Sequence, residues 1–142
     1  MKKKLKQILL IDDSVSDNFI HARRIRNVNV TESIITKKNG REALDYLTEE
    51  LPNNQYQQPE LIFLDINMPV MNGWEFLDEY DKLMDKQKAL VVLAMLTTST
   101  AESDKEKAKN YGHLSTFLEK PLKEEDLLSI IQKHFPRLME EE

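Results

Sequence analysis

The chain has 142 residues, of which 40% are hydrophobic and 32% charged, with a formal net charge of −5 and no cysteine. This length suits one well-filled core, so we predict a single domain over residues 1–142, with a core of about 6–135 and no output domain. The acidic balance argues against direct nucleic-acid binding, and the lack of cysteine excludes thiolate metal sites. No apolar run approaches the roughly 20 residues of a membrane span. We therefore expect a cytoplasmic protein without membrane insertion.

The first predicted element is a buried parallel strand over Ile8–Ile11, a continuous apolar run that ends in the acids Asp12 and Asp13. A helix follows, and Ser14 or Asp17 is suited to cap its first turn. Its apolar face is expected to consist of Phe19, Ile20, Ile25 and Val28. The two acids therefore lie between the carboxyl end of a strand and the start of a helix.

A short β-branched stretch over Ser33–Lys37 predicts the second strand. Asn39 and Glu42 fit a loose capping box, and the helical spacing of the apolar residues predicts a helix over 41–51. The segment 51–59 is rich in Asn, Gln and Pro. We predict that it forms a surface loop before the central strand.

The central stretch of the chain is Leu61–Leu64, followed at once by Asp65. Four apolar residues predict a strand buried on both faces, which brings one carboxylate to its carboxyl end. Pro69 cannot donate to a sheet ladder, and Asn72 with Gly73 is suited to open the next helix. We therefore expect Asp65 in a loop at the edge where open α/β sheets bind ligands.

In the second half of the chain, predicted helices and strands continue to alternate. Amphipathic spacing predicts a helix over 74–84, and an apolar run predicts a strand over Ala89–Leu96. Ser99 with Glu102 forms a further capping box, for a helix through Tyr111 that has few apolar contacts and should be the most weakly packed. The last elements are a strand over Thr116–Leu118 and a helix over Glu124–Phe135.

Five strands alternating with five helices predict an α/β protein with a flavodoxin-like, doubly wound (βα)5 fold. Its parallel sheet would have the strand order 2-1-3-4-5, which makes the first and third strands neighbours. Asp12, Asp13 and Asp65 would then meet in one crevice. Two unit charges about 4 Å apart repel by roughly 4 kcal/mol at an effective dielectric near 20, so the three acids require a cation or must take up protons.

A hard divalent cation with oxygen ligands resolves this repulsion, and a small number of protein ligands suits Mg²⁺, or Mn²⁺, better than Ca²⁺. With the acids neutralised, Asp65 is the central candidate for a nucleophile toward a phosphoryl group, with Lys120 and Thr97 on the opposite side. No histidine is expected in the crevice, a prediction that covers His21, His113 and His134.

These residues resemble the receiver domain of two-component response regulators, a family whose best-known single-domain example is a chemotaxis regulator. The resemblance spans roughly residues 6–135. It rests on the pair Asp12-Asp13, the block Asp65-x-Asn-Met-Pro-x-Met-Asn-Gly, Thr97 after an apolar strand, and Lys120-Pro121. Together these features are highly specific for the family, whereas any one alone would be weak.

The resemblance implies that Asp65 accepts a phosphoryl group from a histidine kinase or a phosphotransfer protein. It also implies that Asp13, Asp65 and the backbone carbonyl of Asn67 hold Mg²⁺, with Asp12 acting mostly through water. The implied function is signalling by a stand-alone receiver. The chain would not be an enzyme beyond promoting its own phosphorylation and autodephosphorylation.

The resemblance further implies a conformational switch. Lys120 would contact the phosphoryl group, Thr97 would move toward it, and Phe117 would turn inward as the switch aromatic. The fourth helix, the fifth strand and the fifth helix would form the changed protein-binding surface, which is also the surface for a homodimer. Thr98 stands where the family usually has a smaller residue, which would narrow access to Asp65.

Three alternatives stay open from the sequence. The chain is a phosphorelay intermediate, a pseudo-receiver that binds partners without phosphorylation, or a small phosphohydrolase of the haloacid dehalogenase type. The motif typical of that last class is Asp-x-Asp, whereas this chain has Asp65-Ile66-Asn67. Failure to bind Mg²⁺ would favour the pseudo-receiver, and turnover of a generic aryl phosphate would favour the phosphohydrolase.

Overall fold

The structure, a computed structural model, describes residues 4–88, 92–98, 101–112 and 114–136. Its strands are β1 (Ile8–Ile11), β2 (Ile34–Lys37), β3 (Glu50–Leu51), β4 (Gln55–Tyr56), β5 (Leu61–Leu64), β6 (Val92–Thr97) and β7 (Leu114–Glu119). Its helices are α1 (Val15–Val28), α2 (Gly40–Thr48), α3 (Gly73–Asp81), α4 (Glu102–Ala108) and α5 (Glu124–His134). Five parallel strands form one sheet in the order β2-β1-β5-β6-β7. This is the predicted order 2-1-3-4-5 once β3 and β4, a separate hairpin, are left out of the count, so the predicted fold is confirmed.

Alternate residues of the central strands point to two separate apolar cores, one on each face of the sheet. Leu9 and Ile11 of β1 pack with side chains of α2 and α3, whereas Ile8 and Leu10 pack with side chains of α1 and α5. Strand β5 divides its residues in the same way. Every residue of β1 and β5 is buried because helices cover both faces, which is why these strands read as unbroken apolar runs in the sequence.

Helix α1 packs by a face that matches the predicted one only in part: Ile25 is buried and Val28 is partly buried against the core, as predicted. Phe19 and Ile20 are 57% and 45% exposed, so their predicted burial is wrong. The other buried residues of the helix are Asn18, His21 and Ala22. The reason lies in polar anchoring at the start of the helix: the Ser14 hydroxyl accepts the Asp17 N–H at 3.1 Å, and Asn18 Nδ2 donates to the Asp12 carbonyl at 2.9 Å. These two bonds rotate the polar residues inward.

The segment 51–59, predicted as a loop, contains most of a small hairpin. Strands β3 and β4 pair antiparallel around a 3₁₀ turn over Pro52–Asn54. Asn53 and Asn54 have φ of 66° and 59°, a left-handed conformation that asparagine tolerates better than most residues. The hairpin lies at the amino ends of the sheet strands, where Lys86 Nζ sits 5.5 Å from the Tyr56 ring. It is therefore remote from the acidic strand ends.

Helix α4 buries one residue, Ala108, whereas α3 buries five. The predicted weak packing of α4 is thus confirmed. Its predicted cap, Ser99, lies outside the described residues, and Ala101 at the N-cap position makes no side-chain capping bond. The β6–β7 pairing has a register shift: Leu93 pairs with Leu114 but Ala94 pairs with Thr116, so that residue 115 is skipped. Phe117 consequently pairs with Met95.

Candidate functional site

The carboxyl ends of β1 and β5 bring three acids together. Backbone bonds from Asp12 N to the Lys37 carbonyl and from Asp65 N to the Ile11 carbonyl, each 3.0 Å, continue the ladder one residue past the strands. Oxygens of Asp12, Asp13 and Asp65 consequently lie within 4.8 Å of one another. Asp12 and Asp65 are buried, whereas Asp13 is exposed. The sequence therefore predicted this juxtaposition correctly.

Asp65 is held on several sides by polar neighbours. Its Oδ1 accepts the Ile66 N–H at 2.9 Å, and its Oδ2 lies 3.6 Å from Lys120 Nζ. Burial and the nearby charge of Asp12 raise the pKa of Asp65, and this effect outweighs the lowering effects of Lys120, of a hydrogen bond with the Thr97 side chain and of the Ile66 N–H. The folded protein without a bound cation therefore disfavours the charged form of Asp65.

Lys120 is the cation of the crevice and contacts three carboxylates. Its Nζ lies 2.5 Å from Asp12, 2.9 Å from Asp17 and 3.6 Å from Asp65. Burial lowers the pKa of Lys120, whereas the hydrogen bonds to Asp12 and Asp17 and the charge of Asp65 raise it. The raising effects are larger together, so the pKa lies above its ordinary value. Lys120 stays protonated across the physiological range.

Sequence analysis missed two residues of the site, Asp17 and His21. His21 is 3% exposed and lines a small cavity together with Asp12 and Asp65, so the prediction that no histidine lies at the crevice is wrong. Burial and the Lys120 charge lower its pKa, which favours neutral imidazole. His113 lies outside the described residues, and His134 is at the end of α5. The spacing of Asp17 and His21, four residues apart on one helix face, was the available signal.

The loop after Asp65 folds back tightly against it. Gly73 N donates to the Ile66 carbonyl at 2.7 Å, and a Cβ on Gly73 would stand 2.5 Å from the Asp65 carbonyl oxygen. Asn72 and Glu75 form a reciprocal capping box at the start of α3. Asn67 is exposed beside the acids. Asn72 and Gly73 thus open α3 as predicted, and Gly73 also allows a close approach of two backbones that a side chain at position 73 would prevent.

The predicted switch residues lie on the β6–β7 side of the site. Thr97 is fully buried at the end of β6 and hydrogen-bonded to Asp65, and its neighbour Thr98 is exposed. Phe117 of β7 is half-buried and lines a groove of about 400 Å³ with Lys105, Ala108 and other residues of α4 and β7. Phe117 is therefore next to α4, whereas Thr97 contacts the acidic cluster.

The donor atoms at the crevice are suited to a hard cation. They are carboxylate oxygens of Asp12, Asp13 and Asp65, and one of the three residues is open to solvent. Mg²⁺ prefers a few carboxylates and retains several water ligands, which a partly open cluster permits. These residues consequently fit Mg²⁺ or Mn²⁺.

Comparison with known proteins agrees with this geometry. Residues 8–132 match the family model described as the response regulator receiver domain. Response regulator Rcp1 of Synechocystis is 30% identical over 127 residues, which cover 89% of this chain and 84% of that protein. Its Mn²⁺-bound crystal structure superposes with a TM-score of 0.69 at 27% identity, covering 90% of each chain.

A two-component response regulator from Cytophaga hutchinsonii superposes with a TM-score of 0.81 at 29% identity, covering 97% of this chain and 100% of that chain. The phosphorylated cyanobacterial phytochrome response regulator RcpA superposes with a TM-score of 0.70 at 26% identity, covering 91% and 90% of the two chains. No helix within the described ranges is long and apolar enough to cross a membrane. By fold, site and sequence, the chain belongs to the response regulator receiver domain family of two-component systems.

Proposed function

We propose that Asp65 accepts a phosphoryl group from a phosphohistidine of a histidine kinase or a phosphotransfer protein. The observation that carries this proposal is the cluster of Asp12, Asp13 and Asp65 within 4.8 Å, with the Lys120 ammonium beside it. Three acids and a lysine at a loop mouth suit a nucleophile that attacks phosphorus, with a positive charge to meet the transferred group. Membership of the receiver family supports the same chemistry.

In the transfer step, a carboxylate oxygen of Asp65 forms a bond to phosphorus. The bond between phosphorus and the imidazole nitrogen of the donor breaks, and its electron pair stays on that nitrogen. The Ile66 N–H holds Oδ1 of Asp65 at 2.9 Å, which orients the carboxylate. Lys120 and the Thr97 hydroxyl would donate to the phosphoryl oxygens and stabilise their negative charge.

We infer that the reaction requires Mg²⁺, for which Mn²⁺ can substitute. Asp13, Asp65 and the backbone carbonyl of Asn67 would hold the ion, with Asp12 acting through water. Bound there, the ion would offset the negative charge of the acids and of the incoming phosphoryl oxygens. The all-oxygen donor set and the exposure of Asp13 support this assignment, and the related Rcp1 has a Mn²⁺-bound structure.

A protein donor would contact the apolar rim of the crevice. Val15 and Phe19 on α1 and Val70 in the loop after Asp65 are exposed, large apolar residues on the two sides of the acidic cluster. Any protein that brings a phosphohistidine to Asp65 must cover this rim, which would bury these side chains. We therefore propose the rim as the surface for the phosphohistidine-bearing partner.

The signal would leave through α4, β7 and α5. Thr97 contacts Asp65, and Phe117 borders the groove next to α4, so a charge change at Asp65 has a short route to this surface. A downstream protein, or a second copy of the chain, would bind there. The single-domain organisation over 1–142 and the cytoplasmic location stay predictions from the sequence.

Intact-mass measurement after incubation with acetyl phosphate and Mg²⁺ tests the proposal. We expect one labile phosphoryl group on the wild type, and none on Asp65→Asn or after chelation of Mg²⁺. Addition that persists in Asp65→Asn, or no addition to a folded wild type, would contradict it. Continued turnover of an aryl phosphate would instead favour the phosphohydrolase.

A further inference from the structure

Lys120 makes a shorter contact with Asp17 than with the proposed phosphoacceptor. The Nζ atom of Lys120 is 2.9 Å from Asp17 Oδ2 and 3.6 Å from Asp65 Oδ2. Asp17 differs from the other acids of the site in its place in the fold, because it lies in the first turn of α1 and not at a strand end. Its side chain is about one-third exposed, whereas that of Lys120 is almost fully buried.

The same turn that positions Asp12 also positions Asp17. Oδ1 of Asp12 accepts the Ser14 N–H at 3.0 Å, and the Ser14 hydroxyl accepts the Asp17 N–H at 3.1 Å. Asn18 Nδ2 closes the turn by donating to the Asp12 carbonyl at 2.9 Å. These hydrogen bonds between side chains and backbone connect the first turn of α1 to Asp12. They hold Asp17 where its carboxylate contacts Lys120.

A lysine ammonium has three N–H donors, and here three carboxylates surround it. The positive charge of Lys120 opposes the entry of a divalent cation wherever it lies against the same oxygens that the cation needs. Asp17 offers that charge a partner on the α1 side of the crevice. Lys120 Nζ already lies 2.5 Å from Asp12, so without Asp17 the ammonium would be drawn toward Asp65, which is now 3.6 Å away.

We propose that Asp17 is a positioning residue: it retains the Lys120 ammonium on the α1 side of the crevice, which leaves the oxygens of Asp13 and Asp65 accessible to Mg²⁺. Asp17 thereby sets the affinity of the crevice for the cation without being one of its ligands. This inference depends on the proposed function only in that the crevice binds Mg²⁺.

Calorimetric titration of the full chain with MgCl₂ tests this role apart from phosphorylation. We expect Asp17→Asn to weaken Mg²⁺ binding about tenfold, the lower end of what loss of an outer-shell partner costs a metal site. Asp17→Glu, which keeps the carboxylate, should bind within about threefold of wild type. The matched control is Asp85→Asn, which removes the same charge from an exposed residue at the start of the 3₁₀ turn over Asp85–Gln87 and should bind as wild type does.

A second pair of proteins separates positioning of Lys120 from simple loss of charge. In a Lys120→Met background there is no ammonium to hold, so Asp17→Asn should change the Mg²⁺ affinity by less than about threefold. An unchanged affinity in Asp17→Asn alone, or an equal loss with and without Lys120, would overturn the inference. A folded wild type that binds no Mg²⁺ would overturn the metal requirement in the proposed function, and this inference with it.

Discussion

Helices α3 and α4 both follow strands that end at the acidic crevice, yet they are attached to the fold in different ways. Helix α3 begins with a reciprocal capping box and buries Gly73, Trp74, Phe76, Leu77 and Tyr80. Helix α4 has an alanine, Ala101, at its N-cap position, and within the helix it buries Ala108 alone. Because buried apolar area holds a helix in place, α4 should open at a lower free energy than α3.

The difference indicates a division of tasks at the site. The α3 side carries the loop that holds Asp65, whereas α4 borders the groove lined by Phe117. Tyr111, just after α4, is one tether of this helix to α3: its ring stacks on Trp74 at 5.6 Å, and its hydroxyl donates to Asp78 at 3.0 Å. Lys107 of α4 also places its Nζ 4.9 Å from the Trp74 ring. A signal from Asp65 would therefore move α4 and leave α3 in place.

The largest expected change in stability concerns the start of α3, the helix that should stay in place. In Gly73→Ala the new Cβ would meet the Asp65 carbonyl oxygen at 2.5 Å and Ile66 Cα at 2.8 Å, both backbone atoms that cannot yield. We expect a loss of about 3 kcal/mol in the free energy of unfolding, measured by urea denaturation. Gly112→Ala is the control, because, apart from its chain neighbours, no atom of the described residues would lie within 4 Å of a Cβ there. Equal stability of the two variants would contradict the tight packing at Gly73.

The next effect concerns the tether of α4. Tyr111→Ala removes both the Trp74 stack and the Asp78 hydrogen bond, and should cost about 2 kcal/mol, less than a fully buried aromatic residue. Tyr111→Phe retains the stack and should cost about 1 kcal/mol. In both variants amide hydrogen exchange should accelerate in α4 more than in α3. Equal acceleration in the two helices would argue against Tyr111 as a tether.

A smaller gain in stability is expected from Asp65→Asn in the absence of divalent cations. The pKa of Asp65 is raised, so the folded protein holds more protons than the unfolded chain between the two pKa values, and stability falls as the pH rises through that window. At pH 7 the free energy of unfolding of the variant should therefore be about 1 kcal/mol larger than that of wild type, which raises its melting temperature by a few degrees. The gain should shrink as the pH falls through the raised pKa. An equal gain in Asp45→Asn, an exposed change on α2, would contradict this cause.

The smallest effect lies in the loop that leads to α3. Val70 has a φ of 66°, an unfavourable conformation for a β-branched residue, and its side chain is exposed. Val70→Asn should raise the free energy of unfolding by about 0.5 kcal/mol, since asparagine tolerates this conformation better. Exchange rates in α4 should stay unchanged. A destabilised variant would show that Val70 contributes packing that outweighs its backbone strain.

The sequence predicted the elements whose signal is local. Ile8–Ile11 and Leu61–Leu64 are continuous apolar runs followed by acids, and this pattern placed Asp12 and Asp65 together correctly. The spacing of Asp17 and His21 places both on one helix face, but this local pattern does not contain Lys120, the partner of Asp17, which lies 103 residues further along the chain. The β3–β4 hairpin escaped prediction because strands of two residues have no periodicity to detect.

The central claim is that phosphorylation of Asp65 is transmitted to α4 and not to α3. Amide hydrogen exchange by mass spectrometry, on wild type with and without acetyl phosphate and Mg²⁺, tests it most directly, with Asp65→Asn treated in the same way as the control. We predict altered exchange in peptides of α4 and β7, unchanged exchange in α3 and β1, and no change in Asp65→Asn. A change in α3 as large as that in α4, or the same change in Asp65→Asn, would contradict the claim.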